Sequence, residues 1–174
     1  MTDAIRIRHL DTIGEREIQG LSDVLIDCVE GGASVSFMLP MTRAKAETFW
    51  RNAAAGVARG ERVVLSAEDE TGIVGTVQII LAQPENQPHR GDLAKMLVHR
   101  RARRQGIAQR LMQAADETAR AEGKTVLVLD TVTGGDAERL YQRAGWQRVG
   151  DIPHYALMPD GVPCSTTYYF KRLG

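Results

Sequence analysis

The residues best suited to chemistry in this chain are one short run and a few isolated positions. The run is Arg103-Arg104-Gln105-Gly106-Ile107-Ala108, set in a stretch from His99 to Arg110 with five arginines and no acidic residue. The apolar spacing predicts a helix from Gly106 to about Glu122, so the run lies at a helix start. The first turn of a helix leaves backbone N–H groups without intrahelical partners, and the helix dipole adds partial positive charge there. Phosphate oxygens suit that position. Gly106 has no Cβ to hold a pyrophosphate off the backbone, and Ala108 is nearly as small. Two other readings of the run stand beside this one. The arginines could simply solvate a helix face, or they could bind nucleic acid, although no aromatic stacking platform adjoins them.

The isolated positions are Tyr141, Asp130 and Asp92. Tyr141 follows Leu140 on a short helix predicted from Asp136 to Ala144, with Ala137, Leu140 and Ala144 as the buried stripe and the tyrosine ring at its edge. A tyrosine there either caps the core with its hydroxyl in water or reaches a site as a proton donor. Asp130 ends an apolar strand, where a carboxylate is costly unless it is paired or placed at a site. Asp92 starts the neighbouring strand and reads equally well as a solvated acid. His89, His99 and His154 are base candidates with no spacing argument behind them. Cys28 falls on a helix and Cys164 in a late loop, so neither suits covalent catalysis. Their spacing matches neither a disulfide framework nor a metal motif, and no metal ligation is expected.

At 174 residues the chain suits one compact domain, residues 1–174. Lys+Arg and Asp+Glu are both 22, so there is no global attraction to nucleic acid or to an acidic membrane. The segment Met1 to Arg8 lacks the apolar stretch of a signal peptide or a membrane span. With two free thiols expected, the cytoplasm is the expected location.

The elements that must position these groups follow from periodicity. Ile5 and Ile7 alternate with arginines as a short strand. Ile18, Leu21, Leu25 and Val29 predict a helix from Glu15 to about Val29, closed by Gly31-Gly32. A second helix is predicted from about Thr42 to Gly60. The loop between them, Gly31 to Met38, is too apolar for an ordinary surface linker. Val63 to Ala67 and Ile73 to Leu81 make a β-hairpin, with Gly75 marking a bulge. Asp92 to Val98 reads as a strand. The helix after the arginine run turns Ile107, Leu111, Ala114 or Ala115, and Thr118 inward. Thr125 to Asp130 reads as a strand in the middle of a covered sheet. Two more strands are predicted near Trp146 to Gly150 and Ser165 to Lys171. The unit from Leu93 to Thr131 is long enough for a right-handed parallel crossover between flanking antiparallel hairpins.

Leu97 to Ala108 resembles the acyl-CoA signature of the GNAT superfamily of N-acetyltransferases, whose loop has the form Arg/Gln-x-x-Gly-x-Gly/Ala. Ala137 to Trp146 resembles the superfamily's second motif, an alanine followed by Leu/Phe-Tyr and then Gly-Phe/Trp. Within the superfamily, the Gly31 to Met38 loop, Asp130-Thr131 and the tail from Pro159 are similar to the tabtoxin-resistance acetyltransferases. One departure is Gly134, where many members carry an asparagine.

The resemblance implies a mixed, mostly antiparallel sheet of six to seven strands, with a central parallel pair splayed to hold acetyl-CoA and helices on both faces. It implies that the pantetheine arm lies against the strand Lys95-Met96-Leu97-Val98, with Met96, Leu97 and Val98 as cofactor contacts and the Val98 N–H available to an oxyanion. Arg103, Arg104, Gln105, Gly106, Ile107, Ala108 and Gln109 complete the expected acetyl-CoA contacts. Tyr141 is implied as the general acid toward the thiolate. Asp130 and Asp92 are candidates to hold an acceptor ammonium, with Ser34 and Phe37 beside them. The expected reaction is direct acetyl transfer to an amine of a small molecule, such as an amino-acid-like toxin or antibiotic, by a monomer or homodimer without a nucleic-acid or membrane partner. Rival readings are acetylation of a protein or peptide, and a non-catalytic acyl-CoA sensor.

Overall fold

A computed structural model describes residues 4–174; the first three positions of the N-terminal segment considered above lie outside the described residues. Seven strands form one sheet: β1 Arg6–His9, β2 Arg62–Asp69, β3 Gly72–Leu81, β4 Arg90–Val98, β5 Val126–Val132, β6 Gln147–Leu157 and β7 Pro163–Arg172. Their spatial order is β1-β2-β3-β4-β5-β7-β6. Four helices cover it: α1 Glu15–Glu30, α2 Arg43–Ala58, α3 Ile107–Ala121 and α4 Asp136–Arg143. This is the mixed, mostly antiparallel sheet that the spacing and the resemblance predict. No helix among the described residues is long and apolar enough to cross a membrane.

Because strand side chains alternate between faces, two cores form. Val63, Leu65 and Ala67 of β2 meet Ile107, Leu111 and Ala115 of α3 in one. Val64 packs with Leu21, Leu25 and Trp50 of α1 and α2 in the other. Local chemistry sets the helix ends. The Glu17 carboxylate accepts from the Gly14 N–H at the start of α1, and the Thr42 hydroxyl accepts from the Lys45 N–H at the start of α2. Gly75 lies where α3 crosses the sheet. A Cβ there would stand 3.1 Å from the Leu97 carbonyl oxygen and 3.2 Å from Leu111, so the close approach requires glycine.

The β4–β5 pair is the only parallel one in the sheet, and it is short. Its register runs Arg90↔Val126, Gly91↔Leu127, Asp92↔Val128 and then stops, although both strands continue. Two features of β4 favour the split. Its register with β3 shifts between Thr76 and Gln78, placing an extra residue in β4 as a β-bulge, and Lys95 within that bulge has φ +53°.

Several boundaries differ from expectation for reasons of packing. The strand predicted to end near Gly150 runs on to Leu157, because β7 continues to pair with it past the bulge between Ile152 and Ala156. The buried stripe of α3 is Ile107, Leu111, Met112, Ala115, Asp116 and Ala119, and Thr118 is only half-buried. On β5, Leu127 and Leu129 are buried while Val126 and Val128 are half-buried. The strand is therefore covered fully on one face and only partly on the other.

Candidate active site

The split between β4 and β5 opens a cleft of about 540 Å³, bordered by Leu97, Arg103, Leu129, Asp130, Ala137 and Tyr141 among others. A side lobe of about 300 Å³ shares Ser34, Asp130, Thr131 and Val132 with it, and is walled by Tyr155, Cys164 and their neighbours on the β6–β7 hairpin. Asp130 therefore stands on the ridge between the two lobes. Its carboxylate accepts a hydrogen bond from the Thr166 hydroxyl at 2.7 Å.

At the near end of the cleft, α3 starts at Gly106, which has φ +72° and no capping side chain. That left-handed backbone suits glycine and turns the chain abruptly into the helix. The Arg110 N–H reaches the Gly106 carbonyl at 3.1 Å, so the N–H groups of Ile107, Ala108 and Gln109 precede the first intrahelical bond. The Ile107 side chain is buried, which anchors the helix start and leaves that residue's backbone N–H as its available group. The five arginines of this stretch divide into two sets. Arg100 pairs with Asp27 at 2.9 Å and Arg101 with Asp69 at 3.3 Å. Arg103, Arg104 and Arg110 have no carboxylate partner within 4 Å among the described residues. The helix start thus offers uncapped N–H groups and cations without carboxylate partners together, a donor set that suits a pyrophosphate, and of these residues Arg103 lines the cleft.

Further along β4, Met96 and Leu97 line the cleft. The His99 N–H donates to the Val74 carbonyl at 2.8 Å, toward β3. Because N–H directions alternate along a strand, the Val98 N–H points the other way, into the gap vacated by β5. Val98 accepts at its carbonyl from the Cys28 thiol at 3.4 Å. Burial pushes that thiol up to about 11, with the Asp27 charge adding to the shift, so Cys28 is a neutral, enclosed group.

Tyr141 is the buried residue of α4, 7% exposed, while Ala137, Leu140 and Ala144 are partly buried around it. This reverses the expected arrangement of stripe and edge. The helix turns its tyrosine inward because the ring packs between Trp146 and Tyr169, with centroids at 6.0 and 6.2 Å. Its hydroxyl has no hydrogen-bond partner among the described residues. Burial pushes its pKa up to about 12, and the Asp130 charge adds to the shift.

The remaining expected residues have different surroundings. Asp92 shares a sheet face with Asp130, but it is ion-paired to Arg90 at 2.8 Å and lines neither lobe. Ser34 lines both lobes. Phe37 lies outside them, edge-on to Phe49 at 5.5 Å. None of His89, His99 and His154 lines either lobe. Gly134, at the position of the missing asparagine, donates its N–H to Glu138. Lys95, expected only as part of the strand beside the pantetheine arm, is a cleft residue in its own right. It lines the cleft from the β4 bulge. The available signal was a charge inside the apolar run Leu93 to Val98, which needs a partner or a site. Among the described residues, no group of three or more His, Cys, Asp or Glu is placed to hold a metal ion.

Residues 34–146 match the model of the acetyltransferase (GNAT) family. The chain is 30% identical over 132 residues to an uncharacterized N-acetyltransferase of the hisH-hisA intergenic region of Azospirillum brasilense, covering 75% of this chain and 76% of that protein. Its fold is similar to that of a ribosomal-protein-alanine N-acetyltransferase from Brucella melitensis, with TM-score 0.78, 24% identity, and coverage of 96% of this chain and 99% of the other. It is also similar to yncA from Salmonella typhimurium, solved with its cofactor acetyl-CoA, with TM-score 0.80, 17% identity, and coverage of 99% and 95%.

Proposed function

Because the chain belongs to the acetyltransferase (GNAT) family, we propose that it transfers acetyl from acetyl-CoA to the amine of a small molecule, with residues 1–174 working as one domain. Membership in a family of N-acetyltransferases sets aside the non-catalytic sensor. The observation that carries the small-molecule reading is the size and walling of the side lobe, about 300 Å³ between the β6–β7 hairpin and the loop around Ser34. A lobe of that volume suits a compact acceptor. The resemblance to tabtoxin-resistance acetyltransferases adds an amino-acid-like toxin or antibiotic as the acceptor class, and the free thiols of Cys28 and Cys164 fit a reducing cytoplasm.

Bound acetyl-CoA supplies a thioester carbonyl open to attack by an amine. In the proposed mechanism Arg103, Arg104 and the N–H groups of Ile107, Ala108 and Gln109 hold the pyrophosphate, with Gln105 and Gly106 shaping the turn. Met96, Leu97 and Val98 flank the pantetheine arm, and the Val98 N–H donates to the carbonyl oxygen as charge builds there. Tyr141 donates toward the sulfur as it departs. Asp130 draws in and orients the acceptor ammonium, with Ser34 shaping the approach, whereas Phe37 lies outside both lobes and Asp92 is neutralised by Arg90. In this proposal Asp130 positions the nucleophile and the amine proton leaves through water.

The Brucella relative is named for acetylating a ribosomal protein, so the fold by itself is compatible with a peptide acceptor. Thiol release from acetyl-CoA, measured with a panel of free amines and a panel of peptides, separates the two. Turnover with amines and none with peptides supports the proposal. Turnover confined to peptides refutes it.

A further inference from the structure

Lys95 sits at the left-handed residue of the β4 bulge and borders the cleft that Asp130 borders from the opposite strand, with its ammonium turned toward Ser36, a residue of the side lobe. Its ammonium lies 3.4 Å from the Ser36 hydroxyl and 5.5 Å from the centre of the Phe49 ring. No carboxylate comes within 4 Å of it among the described residues. An ammonium has three donors, and here a long hydroxyl contact and an aromatic face are what the structure offers them. Burial holds its pKa below the ordinary lysine value, with the Arg62 charge adding to that and Asp130 opposing it. A cation partly withdrawn from water without a counter-charge is costly unless a ligand supplies one. The cleft is therefore polarised, with negative charge at Asp130 on β5 and positive charge at Lys95 on β4, backed by Arg62 on β2.

We propose that Lys95 is a specificity-determining residue that binds an anionic group of the acceptor, so that the preferred acceptor is an amine bearing a carboxylate or a comparable anion. The inference rests on the small-molecule reading above and names the acceptor's second functional group. The acceptor's ammonium faces Asp130 and its anion faces Lys95, with the Ser36 hydroxyl a further donor to that anion. Two opposite charges fix the orientation of a short acceptor, which one carboxylate alone does not.

The test compares matched acceptors that differ in one charge: glycine with glycinamide, alanine with alaninamide, and lysine with lysinamide. kcat/KM is measured for each in the wild type, Lys95→Met and Lys95→Arg, and acetyl-CoA binding to each protein is titrated by calorimetry. Methionine keeps the stem over Phe49 and removes the charge, so packing is largely retained. Lys95→Met is expected to raise KM for the carboxylate-bearing member of each pair by about 10- to 100-fold, the range of a charge-assisted hydrogen bond. The amide member and acetyl-CoA affinity are expected to stay within about two-fold, and Lys95→Arg to restore part of the preference. Intrinsic differences in amine basicity cancel when the acid-to-amide ratio is compared between variant and wild type. An equal loss for both members of each pair overturns the proposal and assigns Lys95 to packing. A fall in kcat with a displaced pH profile and unchanged KM also overturns it and makes Lys95 a base. If the wild type acetylates amines without regard to charge, this inference fails while the small-molecule function stands. If it acetylates peptides alone, both fail.

Discussion

Replacing Tyr141 by phenylalanine removes one oxygen from the wall of the cleft and little else. The ring is 7% exposed and packs edge-on to Trp146 at 6.0 Å and against Tyr169 at 6.2 Å, contacts that phenylalanine keeps. The hydroxyl has no partner among the described residues, so its loss strands no buried group and folding stability is expected to change by less than about 1 kcal/mol. The catalytic effect follows from proton affinity. Burial first, and then the Asp130 charge, push the phenol up to about 12. An ordinary thiol lies near ~8.5, so full proton transfer from Tyr141 to the departing sulfur is uphill by about 3 to 4 pKa units, on the order of 5 kcal/mol. In the proposed mechanism Tyr141 therefore works by holding a hydrogen bond to the sulfur while charge accumulates there. A bond to a charged group contributes about 1.5–3 kcal/mol, which predicts a fall in kcat of about 10- to 150-fold in Tyr141→Phe. Acetyl-CoA affinity measured by calorimetry should stay the same. Because the pKa is raised, Tyr141 remains protonated through pH 10, so the wild-type rate should show no alkaline loss from this residue up to that pH. Single-turnover acetyl transfer is the proper assay, since product release can mask the chemical step. An unchanged single-turnover rate would refute the argument, as would an alkaline limb near pH 9 that vanishes in Tyr141→Phe.

Gly106→Glu places bulk and negative charge at the helix start and puts a side chain on a left-handed residue, φ +72°. Acetyl-CoA affinity should fall well over ten-fold in a protein that still folds by circular dichroism; unchanged affinity by calorimetry would move the phosphate site elsewhere. Asp130→Asn keeps an acceptor oxygen for the Thr166 hydroxyl and removes the charge on the ridge between the lobes. It should raise KM for the amine by ten-fold or more with acetyl-CoA binding intact, while Asp92→Asn, whose native partner is Arg90, should do so far less. Equal loss of both affinities in Asp130→Asn would assign that residue to the fold. Lys171 binds Asp116 and the Ala144 carbonyl, joining α3, β7 and the end of α4. Lys171→Met leaves the Asp116 carboxylate, 11% exposed, without its counter-charge and should cost about 3–5 kcal/mol in urea unfolding. A cost below about 1 kcal/mol would mean that Asp116 finds another partner.

Much of this molecule is legible in the residues because its information is local. A glycine at a helix start, arginines beside it, apolar residues at helical or alternating spacing and glycines past helix ends describe backbone geometry within a few positions of themselves. The order of elements, the uncapped helix start with its arginine run and the family resemblance follow from such signals. The tertiary structure decided what depends on residues far apart in the chain. Arg100 and Arg101 look the same as Arg103 and Arg104 in the sequence, yet Asp27 and Asp69 take the first two and leave the others without a carboxylate partner among the described residues. Asp92 and Asp130 look like a pair until Arg90 claims one and the β6–β7 hairpin frames the other. Tyr141 occupies the centre of its helix's buried face because Trp146 and Tyr169 flank it, which the spacing of α4 alone does not reveal. Lys95 borders the cleft from a β-bulge, which alters the alternation that would otherwise assign it a face. In each case the deciding quantity is a pairing or a register between distant segments, and residue type and spacing along one segment do not carry it.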